Sequence, residues 1–569
     1  MKALICTLNS KYIHSTLAPW CLFTACKTYC KKANELSVFE GTINENQDAL
    51  AERLIAENAD IYTFSCYIWN IKKVLILCEK IKKSKPNAYI ILGGPEVAYC
   101  QKDILQKHSF VDFVLSGEGE IVLPPLIDCL CEKSSPEELN GISHRKGTDF
   151  IIKNEAIGEV FDYPSPYCED YLASLKGRIA YIESSRGCPF SCAYCLSGRC
   201  GRVKFRSLEQ TKKEILVLAS SGTKTVKFID RTFNCNNDRA VEILSFIREN
   251  RGKTIPENVC FHFEISADIL KESFVNEVAK AEKGHLQFEI GIQSLNAETL
   301  SAIGRKSDKE KLFNNIKSLI DLGNCHIHTD LIAGLPHETY ESFVEGFNEC
   351  FTLGANMLQL GFLKLLHGSA LRQNEDTFPC RYSAEAPYEV ISTPTLSEEK
   401  LNNLRTAEKE VDRLHNSGRF PETLSYALDS GKLMPFDLFY HIGKSIEEES
   451  LPLDRYTDRL FEVLSSVEGI DKDILRDCLV YDRLSFNNSG IIPKNLYRQD
   501  ERLRKVKHTL SLEFPLSKGT NRSVAILYTK KKVIFSDYLT KDIITGRYDI
   551  KELPFDFFGE TFFDFHIDK

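Results

Sequence analysis

Short apolar runs alternate with amphipathic stretches over residues 1–135. The apolar runs predict strands at 3–8, 36–39, 61–65, 88–92 and 110–115. Recurrence of apolar residues at helical spacing predicts helices near 16–31, 47–58, 70–84, 97–107 and 119–132. Five strands separated by helices specify a doubly wound, Rossmann-like parallel sheet. Such sheets hold ligands beyond the carboxyl ends of their strands. Those ends carry Asn9 to His14, Ser65-Cys66, Gly93-Gly94-Pro95-Glu96 and Ser116-Gly117-Glu118-Gly119-Glu120.

A polar stretch with Pro164-Ser165-Pro166 reads as a linker over 136–178, followed by a second alternating region over 179–385. Its strands are expected at 179–183, 225–229, 259–265, 287–291, 326–331 and 357–363. Six strand-and-helix units fit an open, partial (β/α)6 barrel of the TIM type, with its chemistry at the C-terminal face. Residues 386–569 change character: 397–480 reads as mainly helical, with a capping-like start at Leu396-Ser397-Glu398-Glu399, and 523–535 reads as a small β hairpin. The aromatic-rich end from Phe555 to Phe565 reads as core, and the whole C-terminal region as a cap that shapes the barrel's pocket. The fold class is therefore α/β in two of three domains.

Composition narrows the partners. Hydrophobic content of 43% and charged content of 27% are ordinary for a globular chain. A net charge of −8 offers no global attraction to nucleic acid, which is not expected as a partner. No apolar run reaches the roughly 20 residues that span a bilayer, and the N-terminus reads as a first strand, not a secretion signal. Twenty cysteines without such a signal point to a reducing cytoplasm.

Three of those cysteines carry chemistry: Ser184-Ser185-Arg186-Gly187-Cys188-Pro189-Phe190-Ser191-Cys192-Ala193-Tyr194-Cys195. Cys188, Cys192 and Cys195 stand at C-x₃-C-x₂-C, where soft thiolates can hold three irons of a cubane and leave the fourth open. A structural zinc loop usually needs two C-x₂-C pairs, and no second pair of that spacing follows. The loop also leaves an apolar run, Ile179-Ala180-Tyr181-Ile182, as expected at a barrel mouth. The motif resembles the radical S-adenosylmethionine (radical SAM) superfamily. That resemblance implies a 4Fe-4S cluster held by the three cysteines, with S-adenosylmethionine (SAM) on the open iron, cleaved on reduction to a 5′-deoxyadenosyl radical. A flavodoxin or ferredoxin is implied as electron donor.

Gly93-Gly94-Pro95 after one strand and Gly117-Glu118-Gly119-Glu120 after the next resemble the cobalamin-binding domain that precedes many radical SAM barrels. Asn9, His14, Ser65, Gly93, Gly94, Pro95, Glu96, Gly117 and Glu118 are the residues this implies for cobalamin. One departure matters: many such domains have Asp-x-His-x-x-Gly after the first strand, whereas Tyr12 and Leu17 stand here where the aspartate and glycine would. The carboxylate that orients a ligating imidazole is missing, so His14 is expected as a polar contact and not as an axial cobalt ligand.

For SAM, the resemblance implies Tyr194 beside the adenine, Asp230 on the methionyl ammonium, Gln293 and Ser294 of a Gly-Ile-Gln-Ser segment along the nucleoside, and Arg305 on the carboxylate. Glu264, ending the third strand, can touch substrate or cofactor, or be a barrel-mouth carboxylate paired with an arginine. Pro387-Tyr388-Glu389-Val390 and the segment from His415 to Phe420 resemble an uncharacterised domain that accompanies some such proteins. The expectation is a cobalamin-dependent enzyme that methylates an unactivated carbon of an unknown small-molecule or peptide substrate. Alternatives are a cobalamin-using rearrangement or cyclisation, a methylthiotransferase with a second cluster at Cys6, Cys66 and Cys100, and a non-enzymatic sensor.

Overall fold

The computed structural model describes residues 1–559 apart from 33, 34, 447, 449, 518 and 519. The first sheet runs β1 (Lys2–Asn9), β2 (Glu35–Thr42), β3 (Ile61–Ser65), β4 (Tyr89–Gly93) and β5 (Phe113–Leu115), all parallel, in the order β2-β1-β3-β4-β5. β1 and β3 are buried on both faces, which is why they read as continuous apolar runs. Helices α1 (Ala18–Tyr29) and α5 (Gly119–Glu132) cover one face, while α2 (Gln47–Ala56) and α3 (Ile71–Ser84) cover the other. The order reverses between β1 and β3, and there the loops part to leave a crevice.

The stretch expected to be a linker is partly sheet. β6 (Ile142–Lys146) and β7 (Asp149–Ile151) add two antiparallel strands beyond β5. Further on, Ala156 bridges to Gly117, so this segment also underpins the Gly-Glu-Gly-Glu turn.

The second sheet contains β8 (Ala180–Ile182), then, after the cysteine loop, β11 (Thr225–Phe228), β12 (Cys260–Ile265), β13 (Leu286–Gln293), β14 (His326–Ala333) and β15 (Met357–Phe362). The six are parallel and adjacent in chain order, an open barrel. The two-residue strands β9 (Ser185–Arg186) and β10 (Lys204–Phe205) pair antiparallel and pinch the cysteine loop at its base.

Beyond a small β16–β17 ladder (Arg381–Tyr382 with Val390–Ser392), the chain is helical from Glu398 to Phe486 with short breaks. Ser397 caps the first of these helices by accepting from Lys400 N. Phe436 and Phe439 pack edge-on against Phe347 of the barrel helix Tyr340–Thr352, and Asn416 pairs with both backbone groups of Leu358, closing part of the exposed edge of β15. A three-stranded sheet, β18 (Ser523–Leu527), β19 (Lys532–Ser536) and β20 (Lys551–Pro554), packs on helix Arg502–Glu513. The expected hairpin thus gains a third strand. The C-terminal region braces the barrel from outside, and none of its described residues lines the large cavity between the first sheet and the barrel mouth. Phe555–Phe558 form a short helix with no buried residue, and the aromatic residues beyond it lie outside the described residues. Among the described residues no helix is long and apolar enough to cross a membrane.

Candidate functional site

The carboxyl ends of β1, β3, β4 and β5 face the mouth of the barrel across a cavity of about 660 Å³. Asn9, His14, Ser65, Gly93, Gly94, Pro95, Gly117 and Glu118 all line it, and the barrel contributes Tyr181, Glu183, Arg186, Ile229 and Arg231. Two glycines are required by their backbones. Gly94 has φ +104° and a Cβ there would sit 2.5 Å from the Cys66 carbonyl oxygen; Gly117 has φ +100° and its Cβ would meet the Ala156 carbonyl at 2.1 Å. The loops therefore nest closely and leave the strand ends bare of bulky side chains.

Glu96 does not belong to this cavity. It turns the other way and accepts a hydrogen bond from the Tyr388 hydroxyl, tying the first sheet to the segment after the barrel. Burial raises its carboxyl above the usual range, against the bond from Tyr388.

The His14 loop is pinned to the barrel. Ile179 N donates to Ile13 O at 2.8 Å, Arg178 donates to the carbonyls of Tyr12 and His14, and His14 Nδ1 pairs with the Tyr181 hydroxyl at 2.7 Å. Burial and the cations Lys11, Lys227 and Arg178 lower the His14 pKa. Asn9 donates to Glu40 at 3.2 Å.

The Gly-Glu-Gly-Glu turn does more than line a cavity. Arg186, two residues before Cys188, contacts Glu118 at 3.4 Å, Glu120 at 2.8 Å and Glu183 at 2.7 Å. Glu118 also takes Lys204 of β10, the Tyr163 hydroxyl at 2.6 Å and Gly158 N at 2.7 Å. Burial opposes ionisation of Glu118, but these donors outweigh it and its pKa is lowered. Both strands at the base of the cysteine loop are thus clamped to the first domain. Sequence reasoning missed Arg186, Lys204 and Tyr163 because their partners lie far away in the chain.

In the cysteine loop, Cys188, Cys192 and Cys195 are half-buried free thiols. Thr232 Oγ1 lies 3.4 Å from Cys188 Sγ, and Ser197 N donates to Cys195 Sγ at 3.4 Å. Burial raises the Cys192 thiol, while Arg305 nearby favours its thiolate. Tyr194 bonds to the Cys192 side chain, and Ala193 is held between Ile303 and Leu371 through its backbone. Among the described residues no group of three or more His, Cys, Asp and Glu side chains is drawn together around a point for a single metal ion. A cubane binds each thiolate to a different iron, so three soft donors spread along one loop suit a cluster better than one ion.

Asp230 is corrected by the structure. It is fully enclosed, and its carboxylate accepts from Ser184 N at 2.7 Å, Ser184 Oγ at 2.6 Å and Ser185 Oγ at 2.7 Å. It fixes the turn into the cysteine loop and does not present an oxygen to a methionyl ammonium. Burial pushes its carboxyl up to about 6. Ser294 is likewise spent, on Glu338 and on Asn296 N. Arg305 donates through Nη2 to Asp268 at 3.1 Å and to the Gly291 carbonyl at 2.6 Å, which holds it beside Cys192 with its other two nitrogens still available to a carboxylate. Gln293 sits at a register shift in β13 with φ +73°, a strained backbone for this residue type. Its amide folds over Gly291, where a Cβ would lie 2.0 Å away. Gln293 and Glu264 make no side-chain hydrogen bond among the described residues, so these two remain open to a ligand.

The residues fit the implied groups unequally. The cavity suits a large flat ligand: its walls are glycine loops, Trp69 stacks on Tyr67 at 4.5 Å, and the buried Thr63 hydroxyl in its lining has no partner. Cobalamin, with its rim of amides, matches that demand. The thiol loop fits a cluster.

The methylthiotransferase alternative fits poorly. Cys6 and Cys66 are fully buried with thiols bonded back to Leu4 and Phe64 carbonyls, and Cys100 bonds to the Glu96 carbonyl. Burial raises all three thiols, Cys100 to about 12.

Comparison with known proteins agrees with this geometry. Residues 24–127 match the B12 binding domain, 182–350 the radical SAM superfamily, and 376–533 a protein region of unknown function, DUF4080. The cobalamin-dependent radical SAM methyltransferase TokK of Streptomyces tokunonensis is 27% identical over 312 residues, 52% of this chain and 45% of that protein. A tRNA-2-methylthio-N(6)-dimethylallyladenosine synthase of Clostridium botulinum is 25% identical over 307 residues, 51% of this chain and 63% of that one. The chain spans about half the length of TokK. Among solved structures, the cobalamin-dependent SAM radical enzyme OxsB with aqua-cobalamin and SAM bound superposes with TM-score 0.60 at 13% identity, covering 91% of this chain and 82% of that one. The chain carries a B12-binding domain and a radical SAM domain, and it is homologous to the cobalamin-dependent radical SAM methyltransferases.

Proposed function

We propose that this chain, which joins a B12-binding domain to a radical SAM domain, methylates an unactivated carbon of a small molecule or peptide. The observation that carries the reading is the cavity shared by both domains, with Arg186 linking the Gly-Glu-Gly-Glu turn directly to the cysteine loop. When bound, the cluster and SAM supply a hydrogen-abstracting radical and cobalamin supplies the methyl group.

The chain's own work is positional. Cys188, Cys192 and Cys195 hold the cluster, and Asp230 fixes the turn that presents them. Arg186 and Lys204 lock that loop against the first domain, so that the two reacting centres keep a fixed separation. Gly94 and Gly117 keep the strand ends open for a large cofactor. His14, held by Tyr181 on its Nδ1, is a polar contact at the cavity wall. Gln293 and Glu264 face SAM or substrate at the barrel mouth, and the electron comes from a flavodoxin or ferredoxin.

Anaerobic reconstitution tests this. About four irons and about one cobalt per chain are expected, with iron lost when Cys188, Cys192 and Cys195 are replaced by Ala. Turnover with substrate yields 5′-deoxyadenosine and S-adenosylhomocysteine together. 5′-Deoxyadenosine alone moves the reading to rearrangement or cyclisation. About eight irons and no cobalt move it to methylthiotransfer.

A further inference from the structure

The chain after β15 makes an excursion that lies outside the large cavity. Leu363 N donates to the Ala333 carbonyl, Val390 N to the Leu363 carbonyl and Leu365 N to the Tyr388 carbonyl. Residues 363–390 therefore leave the end of β15 and return beside it as a closed strap. This strap touches both candidate cofactor sites. The Tyr388 hydroxyl donates to Glu96, which follows the Gly93-Gly94-Pro95 turn of the cavity wall. Leu371 N, on the short helix Ala370–Gln373, donates at 3.0 Å to the carbonyl of Ala193, between Cys192 and Tyr194 of the cysteine loop.

Further contacts join these two ends. The Arg372 guanidinium lies 4.5 Å from the centre of the Tyr388 ring and donates to the Leu365 carbonyl at 2.6 Å. Its charge also favours ionised Glu96 against burial. Arg199 of the cysteine loop donates to the Gly368 carbonyl and lies 4.8 Å over the ring of Tyr99, which lines the cavity. Gly368 has φ +83° and rests so close on Tyr99 that a Cβ would strike its ring.

Glu96 and Tyr388 are only 5% and 8% exposed, so a shift of one must be taken up by the other. The path Glu96–Tyr388–Arg372–Leu371–Ala193 is contiguous. A large ligand seated on the Gly-Gly-Pro turn fixes the turn that carries Glu96 and, along this path, the cysteine loop. The Arg186 clamp acts elsewhere: it joins the Gly117–Glu120 turn to the base of the loop, whereas the strap joins the Gly93–Glu96 turn to its middle.

We propose that residues 363–390 are a coupling strap, in which Tyr388 and Arg372 are positioning residues that make corrinoid binding and the order of the cysteine loop depend on each other. Such coupling is reciprocal: a cofactor at either site raises affinity at the other by the same factor. The inference rests on the two cofactor sites and not on methyl transfer.

The test measures affinity, not turnover. Hydroxocobalamin is titrated anaerobically by equilibrium dialysis, with cobalt counted, into the iron-free full chain and into the chain reconstituted with its cluster. The cluster-loaded native chain is expected to bind about tenfold more tightly than the iron-free one. Tyr388→Phe keeps the ring against Arg372 and loses only the bond to Glu96. There the ratio should fall to about threefold or less, the Arg186 clamp supplying the remainder. Glu96→Gln, whose amide oxygen still accepts from Tyr388, should keep the native ratio. So should Lys72→Gln, which breaks the exposed pair between Lys72 and Glu385 of the same strap. A merely structural role for Tyr388 would weaken cobalamin binding in both forms and leave the ratio unchanged. Hydrogen–deuterium exchange on the iron-free chain gives a second reading: hydroxocobalamin should protect the amides of residues 191–199 in the native chain and several-fold less in Tyr388→Phe. A native ratio of one, an unchanged ratio in Tyr388→Phe, or equal protection of 191–199 in both chains would each overturn the strap. Coupling found without any methylated product leaves the strap standing and counts against the methyltransferase reading alone.

Discussion

Replacing Arg186 by Gln should loosen the cysteine loop without unfolding the barrel. The guanidinium is fork-bonded to Glu183 at 2.8 and 2.7 Å and to Glu120 at 2.8 and 3.3 Å, with 18% of the side chain exposed. Glu118 keeps Lys204, Tyr163 and Gly158 in the variant, but Arg186 is the only cation bonded to Glu120 and Glu183 among the described residues. Breaking a buried pair costs about 3–5 kcal/mol. The lower end applies, since Gln still donates one amide and the cavity admits water, so about 3 kcal/mol is expected, or roughly a hundredfold in the docked-to-undocked ratio.

Hydrogen–deuterium exchange reads this locally and needs no cofactor. Amides of the β9–β10 ladder, residues 185–205, should lose about a hundredfold in protection, while β13 and β14 keep theirs. Arg186→Lys, which retains charge but not the forks, should fall between. The deficit should shrink as pH falls, because the stranded carboxylates then take up protons. In the native chain the sign is opposite at Glu118: its lowered pKa contributes stability above the unfolded carboxylate value, lost as pH falls through the folded one. Native protection across the β9–β10 ladder in Arg186→Gln would refute the clamp.

Asp230→Asn removes an acceptor from Ser184 N or its hydroxyl at a cost of about 1–3 kcal/mol, and iron retention should drop while SAM affinity per retained cluster holds; full iron with lost SAM binding would return Asp230 to the methionyl ammonium. Because its carboxyl is pushed up to about 6, the folded state binds the extra proton between about pH 4 and that value, so the native loop should lose stability as pH rises through 6 and the Asn variant should not. Gly117→Ala forces a side chain into the Ala156 carbonyl at φ +100° and should abolish cobalamin retention on gel filtration, whereas Gly147→Ala, with nothing within 4 Å, should retain it. Joint replacement of Cys6, Cys66 and Cys100 by Ala should leave reconstituted iron at about four per chain; a fall to half the native iron would reveal a second cluster.

The elements that were legible share a physical cause. Strands buried on both faces, such as β3 with five buried residues, must be written as apolar runs, and the helices between them must carry one apolar stripe. What escaped notice lies at sheet edges. β7 is Asp149-Phe-Ile with no buried residue, its inner neighbour β6 ends in Arg145 and Lys146, and β20 is Lys551-Glu-Leu-Pro, mostly exposed. Edge strands are written in charge to discourage pairing with other chains, so their code resembles that of a loop.

The site divides along a similar line. Gly94 and Gly117 were readable because positive φ and a bare approach are demands on a single residue. Asp230 was placed correctly at its strand end, yet its oxygens go to Ser184 and Ser185, and which donor wins a carboxylate is settled only by three-dimensional proximity. The inner face of the barrel is the instructive case, because its signal stands in the sequence. His262-x-Glu264, Gln287-x-Glu289 and His326-x-His328-x-Asp330 alternate with apolar residues on three neighbouring strands that helices cover from outside. In a packed barrel both faces would be apolar. Period-2 polarity on such strands means that the inner face is not packed. Each inward charge costs folding free energy unless matched, and matched pairs at best break even against apolar packing. Stability alone therefore does not account for this inner face, in which Glu264 has Arg231 at 3.7 Å and Lys227 at 3.8 Å but no hydrogen bond among the described residues.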